Sequence, residues 1–205
     1  MLGVIVNKDL KWNGQLEKLK GECQYRQSIL RRLRKYLTSR QIKTIAEGLV
    51  FSRLRYCLLV WGADFLRLTD SDPLCTIAHE LQVIQNDTLR IITGRKRSDH
   101  VRIEDMLSST NMLSVNQLTA YGILIETWKA REFDVPHLSS LLVVARNDVR
   151  NLRSNGANLF QASIAEQFAL CAEKLWNLSS DHFKKTNLLS VAKIEAKKVA
   201  SQLPI

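Results

Sequence analysis

Basic side chains recur at helical spacing between Lys20 and Lys35. At 3.6 residues per turn, one flank of a helix would carry Lys20, Gln24, Gln27, Arg31, Arg34 and Lys35. Lysine and arginine in such a row suit phosphate groups, and the glutamine amides add hydrogen-bond donors. This flank therefore predicts contact with a polyanion, and a solvated helix surface is the alternative.

A second basic cluster consists of Arg95, Lys96 and Arg97. It directly follows Gly94, which we predict to end a helix. The same three cations would suit phosphate contact or the negative C-terminal end of that helix, so both interpretations stay open.

The helix that carries the first cluster must bury its other side. Its apolar positions are Leu16, Leu19, Cys23, Leu30, Leu33 and Leu37. They recur with the helical period and predict an amphipathic helix over residues 16–37.

The net charge of +10 is concentrated at the beginning of the chain. Residues 1–55 hold thirteen Lys or Arg against four acids, whereas residues 56–205 hold seventeen against sixteen. This asymmetry favours a polyanionic partner, either nucleic acid or an acidic membrane surface. The basic helix lacks an aromatic-rich insertion face, so we expect no membrane binding.

Cysteine and histidine give no sign of a metal or cofactor site. The four cysteines and four histidines are scattered without paired spacing, so we predict no zinc site, no disulfide framework and no cofactor. Reduced thiols favour an intracellular protein, and a nuclear one if it acts on nucleic acid. The most apolar stretch, residues 49–61, is too short to span a bilayer.

The predicted fold class is mainly α, with a short N-terminal β-hairpin. Residues 2–6 are apolar and β-branched, and they would pair with residues 10–12 or with a partner outside this chain. A capping box at Thr38 and Gln41 predicts a second helix to Trp61, and Asp72 with Pro73 predicts the start of a third. Further helices are predicted over residues 101–107, 114–131, 136–144, 163–178 and 188–203, with a loop or hairpin over 147–158.

Several short motifs occur in an order that is typical of one family. They are Leu2-Gly3-Val4 with Lys11-Trp12; Leu30-Arg31-Arg32-Leu33; Tyr56-Cys57 with Trp61-Gly62; Leu81, Ile84-Gln85-Asn86, Leu89-Arg90-Ile91-Ile92 and Gly94; Leu113-Ser114; Pro136, Leu138-Ser139 and Leu141-Leu142; and Lys174-Leu175-Trp176-Asn177. In this order and spacing, residues 2–178 resemble the part of a non-LTR retrotransposon reverse transcriptase, of the jockey-like and chicken-repeat-like elements, that follows the catalytic palm.

The resemblance implies a division into three parts. Residues 1–12 would form a primer-grip-like β-hairpin with Leu2 and Gly3 as its primer-grip-like residues. Residues 13–95 would form a thumb-like three-helix bundle, and residues 96–205 a C-terminal helical region. The implied partner is the backbone of an RNA/DNA duplex, bound without sequence specificity through the two basic clusters.

The resemblance also implies that this chain is no enzyme by itself. The fingers and palm, whose carboxylates hold two metal ions, have no counterpart in the sequence, so we expect a truncated or remnant reading frame without catalytic residues. The missing palm or another protein would be a further partner. The alternative function is a helical scaffold for protein interaction with no nucleic-acid role.

Overall fold

The computed structural model of the chain describes residues 3–5, 8, 12–56, 58–135, 140, 142–144, 160–162 and 167–205. It is mainly helical, which confirms that part of the predicted fold class. Contacts divide the chain into two compact units, unit 1 with residues 1–116 and Ile205, and unit 2 with residues 117–204. This division differs from the predicted boundary after residue 95.

Helix α1 spans Asn13–Leu33 and packs against helix α5, which spans Thr76–Thr93. The predicted apolar face is confirmed for Leu16, Leu19, Cys23 and Leu30, all of which are buried. On α5, Leu81, Ile84 and Leu89 belong to the same core. Burial of these faces, each worth about 1.5–3 kcal/mol per large side chain, holds the two helices together.

The second predicted helix is interrupted. The capping box is confirmed, since the Gln41 backbone N–H donates to the Thr38 hydroxyl and α2 follows at Ser39–Ala46. A π-helical turn, Glu47–Phe51, leads into α3 at Ser52–Arg55, and Tyr56 then takes an extended conformation. Helix α4, Leu58–Gly62, and a 3-10 turn, Ala63–Phe65, follow. A single helix to Trp61 was therefore the wrong prediction.

Helix α5 begins later than predicted and ends where predicted. The Asp72 carboxylate accepts from the backbone N–H groups of Leu68 and Thr69, at 2.7 and 2.9 Å, so it closes a turn instead of capping the helix. Gly94 adopts a left-handed conformation with φ of 73° and ends α5. A 3-10 turn at Arg97–Asp99 and helix α6 at Ile103–Thr110 complete this region, and α6 packs on α5.

The predicted N-terminal β-hairpin is wrong. Among the described residues of this segment, 3–5, 8 and 12, none lies in a strand. The Ile5 backbone N–H donates to the Gln15 side chain at 3.0 Å, and the Lys18 ammonium donates to the Gly3 carbonyl at 3.1 Å. Side chains of α1 therefore occupy backbone groups that a strand partner would have used. Leu2 lies outside the described residues.

Unit 2 contains the only strand pair that the described part of the chain shows. Helix α7, Val115–Glu132, leads into unit 2, where β1, Leu142–Val144, pairs antiparallel with β2, Phe160–Ala162. The helix predicted over residues 136–144 is therefore wrong at its end, where Val143 and Val144 favour a strand. The loop or hairpin predicted over residues 147–158 lies outside the described residues.

Three helices complete unit 2. They are α8, Gln167–Leu178; α9, Asp181–Lys185; and α10, Leu189–Ser201. Trp176 and Phe183 meet edge to face at 5.4 Å between ring centroids, and both are fully buried. The buried Trp128 indole donates to the Thr186 carbonyl at 2.9 Å, which satisfies its polar group. No helix in the described ranges has the length and apolarity needed to cross a bilayer.

Candidate nucleic-acid interface

A groove of about 420 Å³ in unit 1, here called the arginine groove, is lined by basic side chains from three segments. Helix α1 and the turn after it supply Arg31 and Arg34, α5 supplies Arg90, and the segment after α5 supplies Arg95 and Arg97. The other lining residues are Asp87, Ile91 and Gly94. The structure thus brings members of both predicted basic clusters into one concave surface.

Gly94 positions the last two arginines. Its left-handed conformation reverses the chain at the end of α5, and the Arg95 backbone N–H then bonds to the Arg90 carbonyl at 3.0 Å. An L-residue is disfavoured at this φ, whereas glycine adopts it readily. The turn therefore returns Arg95 and Arg97 toward the groove.

Arg34 has a structural role in addition to lining the groove. Its Nη1 donates to the Leu37 carbonyl and its Nη2 to the Ser39 hydroxyl, each at 3.2 Å. A Cβ added to Gly94 would lie 3.0 Å from that Nη2 atom. The Arg34 guanidinium therefore fastens the turn after α1 to the start of α2 and rests on the glycine that ends α5.

Asp87 is the single carboxylate of the groove lining. Its Oδ2 lies 2.8 Å from Arg97 Nη2, and its Oδ1 lies 3.2 Å from Arg90 Nη1. Arg31 and Arg95 are exposed, and their guanidinium groups have no ion-pair or hydrogen-bond partner within the described part of the chain. Five arginines against one carboxylate leave a strongly positive groove, with two cations free to receive an anion.

A second groove, of about 650 Å³, lies on the other side of Arg95. Its cations are Arg40 and Lys43 from α2 together with Arg95, and Asp105 from α6 is its carboxylate. Arg34 lines the arginine groove, Ser39 lines this second groove, and the Arg34 guanidinium donates a hydrogen bond to the Ser39 hydroxyl. The basic surface is therefore continuous across the two.

Two of the predicted binding residues are engaged inside unit 1. Gln27 is buried on the α5 side of α1, where its amide donates to the Ile84 carbonyl and the Thr88 hydroxyl at 2.9 and 3.0 Å. Lys20 pairs with Glu80 of α5 at 2.9 Å, and this hydrogen bond is the main cause of the raised pKa of the Lys20 ammonium. Both face α5, so neither belongs to the proposed phosphate contacts.

The burial of Gln27 was readable from the sequence. Cys23 precedes it by four residues and Leu30 follows it by three, so an ideal helix places Gln27 only about 40° from Cys23. Part of the predicted row of polar residues therefore lies at the edge of the apolar face and not on the side opposite to it. A glutamine there can bury its amide when a neighbouring helix offers acceptors.

The remaining predicted residues that the structure describes lie at the surface and outside both groove linings. Gln24, Lys35 and Lys96 are exposed and line neither groove. Gly3 is exposed with φ of 74°, and it also lies outside both linings.

The predicted site omitted three basic residues of the two groove linings, Arg90, Arg40 and Lys43. The spacing of Asp87 and Arg90 on one helix face was the available signal for Arg90, because residues three apart are neighbours there. Nothing in the sequence shows that α2 lies beside Arg95.

No three His, Cys, Asp or Glu side chains in the described ranges come together as a metal site requires. Comparison of the chain with protein-family models, curated proteins and solved structures found no match in any of the three.

Proposed function

We propose that unit 1 binds the phosphate backbone of an RNA/DNA duplex through the arginine groove, without reading base sequence. The role corresponds to that of the thumb region in the non-LTR reverse transcriptases that the sequence resembles. The observation that supports it is the convergence of five arginines from three segments around a single carboxylate. The nucleus is the compartment that this role implies.

The residue type favours phosphate as the anion. A guanidinium offers several N–H donors in a plane and can bind two oxygens of one phosphate, whereas an ammonium acts as a compact point charge. All five cations in the groove lining are arginines. A merely solvated helix surface would not require cations from different segments to converge on one concavity.

The proposal gives this chain no catalytic step. Backbone contacts supply affinity and orientation and carry no direct sequence information. Nucleotide addition needs carboxylates that hold metal ions, and these would belong to a palm with which the chain cooperates.

The test is duplex binding measured by fluorescence anisotropy, with a charge-reversal pair. Arg31→Glu combined with Arg95→Glu removes the two unpartnered cations of the groove. Arg32→Glu combined with Lys96→Glu is the matched control, because it reverses the same number of charges; Arg32 and Lys96 are exposed, follow Arg31 and Arg95 directly in the chain and lie outside the groove lining. Both reversals in α1 carry the same cost against the helix dipole, so the control isolates the groove.

We expect the wild-type chain to bind with a log affinity that falls against log salt at a slope of about −4 to −5, as about four to six phosphate contacts produce. The variant with Arg31→Glu and Arg95→Glu should bind at least about tenfold more weakly with a shallower slope, and the control should stay within about twofold. Equal binding by wild type and this variant, with unchanged circular dichroism, would overturn the proposal. Self-association in light scattering together with no duplex binding would favour the scaffold function instead.

A further inference from the structure

The segment Gly94–His100, between α5 and α6, is exposed at every residue. Ser98 lies in its 3-10 turn and is preceded by Arg95, Lys96 and Arg97. We propose that Ser98 is a phosphorylation site for a serine kinase that selects basic residues before the acceptor, and that the added phosphate weakens polyanion binding in the arginine groove. The regulatory half of this proposal rests on the proposed function.

The structure distinguishes Ser98 from the other hydroxyl residue that has an arginine three positions before it. In the whole sequence, Thr93 and Ser98 are the two Ser or Thr residues that follow an arginine by three positions. Thr93 is half-buried in the last turn of α5, and its hydroxyl donates to the Leu89 carbonyl at 2.9 Å. Ser98 is exposed, and its hydroxyl reaches only the neighbouring Asp99 carboxylate, at 3.5 Å.

Opening the turn at Ser98 would cost little. A kinase binds its acceptor segment in an extended form, so the bonds that close this turn must break. They are the Asp99 N–H to the Lys96 carbonyl at 3.2 Å and the Lys96 N–H to the Asp99 carboxylate at 2.8 Å. Both are exposed, and each contributes about 0.5–1.5 kcal/mol net.

The exposed Arg95 and Lys96 carry charges that would select this serine. Carboxylates in a kinase groove pair with cations upstream of the acceptor, and this pattern sets substrate choice. Two exposed serines provide an internal comparison, because neither Ser71 nor Ser108 has a cation among its three preceding residues. The kinase would transfer the γ-phosphoryl group of ATP to Ser98 Oγ, its catalytic base would take the hydroxyl proton, and ADP would leave.

The phosphate would be attached one residue after Arg97. Phosphoserine carries a charge of about −1.5 to −2 at neutral pH and three strong acceptor oxygens. Arg95 and Arg97 both line the arginine groove. If this phosphate pairs with them, it neutralises part of the positive charge of the groove. The same phosphate would repel the phosphates of an incoming strand.

The experiment treats the whole chain with ATP and the catalytic subunit of cAMP-dependent protein kinase, a kinase that requires upstream basic residues. Tandem mass spectrometry should locate phosphate at Ser98 and none at Ser71, Ser108 or Thr93. Ser98→Ala should remove that phosphate, and Arg95→Ala should slow its incorporation by about tenfold. A chain left unmodified at Ser98, with circular dichroism unchanged, would overturn the site.

Duplex binding then tests the consequence. The phosphorylated chain should bind the RNA/DNA duplex about tenfold more weakly, with a salt slope shallower by about two, while kinase-treated Ser98→Ala binds as the untreated chain does. Unchanged binding after full phosphorylation would overturn the regulatory half. If the untreated wild type fails to bind the duplex, the proposed function fails, whereas the mass spectrum still decides the modification site.

Discussion

Arg97 holds both oxygens of the Asp87 carboxylate, with its Nη2 donating to Oδ1 at 3.0 Å and to Oδ2 at 2.8 Å. The Arg97 side chain is 73% exposed, whereas that of Asp87 is 20% exposed. Asp87 therefore acts as a resident anion in the arginine groove. A phosphate that enters must compete with it for Arg97 and for Arg90.

Replacement of this anion should strengthen duplex binding. Asp87→Asn keeps the shape and removes the charge, so Arg90 and Arg97 become available to phosphate. We expect affinity to rise by about two- to fivefold, in line with the loss of exposed ion pairs worth up to about 1 kcal/mol. Glu104→Gln is the control for a general charge effect, because Glu104 is exposed on α6 and lines neither groove. Anisotropy titrations that show equal or weaker binding by Asp87→Asn would contradict the role given to Asp87.

Gln27 should matter for stability, and Gln24 should not. Gln27→Ala leaves the buried Thr88 hydroxyl without its donor and opens a gap between α1 and α5. We expect the free energy of unfolding to fall by about 1–3 kcal/mol. Gln24→Ala, on the exposed side of the same helix, should change it by less than about 0.5 kcal/mol. Urea unfolding followed by circular dichroism measures both, and similar values for the two variants would argue against the buried amide contact.

Two glycines should respond to alanine in opposite directions. Gly94→Ala forces an L-residue to a φ of 73° and brings its Cβ to 3.0 Å from Arg34 Nη2. We expect a loss of about 1–2 kcal/mol in stability. Gly21→Ala lies within α1 with nothing inside 4 Å of the added Cβ, so it should stabilise by about 0.5–1 kcal/mol. Both shifts are readable as changes in the urea midpoint, and a destabilised Gly21→Ala chain would count against this packing of α1.

The Cys23 thiol should make stability depend on alkaline pH. Burial raises its pKa from 9.0 to about 11. Well below pH 9 the thiol is neutral in both the folded and the unfolded chain. Between pH 9 and pH 11 it ionises mainly in the unfolded chain. The stability of the wild type relative to Cys23→Ala should therefore fall, by up to about 2 kcal/mol, as pH rises from 9 toward 11. Urea titrations of both proteins across this range measure the difference, and a constant difference would contradict the burial of Cys23.

Local signals in the sequence predicted local features well. The capping box at Thr38 and the glycine stop at Gly94 depend on residues a few positions apart, and both are confirmed. The apolar face of α1 follows from helical period alone. Two of the predictions that were wrong depend on partners that are not local in the chain. The Ile5 backbone N–H donates to the Gln15 side chain, ten residues later, and β1 pairs with β2, so that Val144 lies opposite Phe160.

The groove itself was only half predictable. Two basic clusters were identified separately, and the packing of α1 on α5 is what brings Arg31 close to Arg95 and Arg97. The spacing on α1 indicates that Gln27 lies near the apolar face, but the groups that engage Lys20 and Gln27 are on α5, so a pattern confined to α1 could not identify them. The interruption of the second helix has no strong signal in its sequence, because Glu47–Phe51 contains no proline.

The π-helical turn at Glu47–Phe51 joins α2 to α3, and buried residues recur every four positions along this segment, at Ile42, Ala46, Val50 and Leu54. In a regular α-helix this row would drift by about 40° at each step, so Leu54 would lie about 120° away from Ile42. The wider turn takes up most of that drift, since it accommodates one residue more than an α-helical turn. Deletion of the exposed Gly48 would let the segment close into a regular helix with Leu54 still facing inward. The π-helical turn thus accommodates one additional residue, and α3 still presents Leu54 to the core.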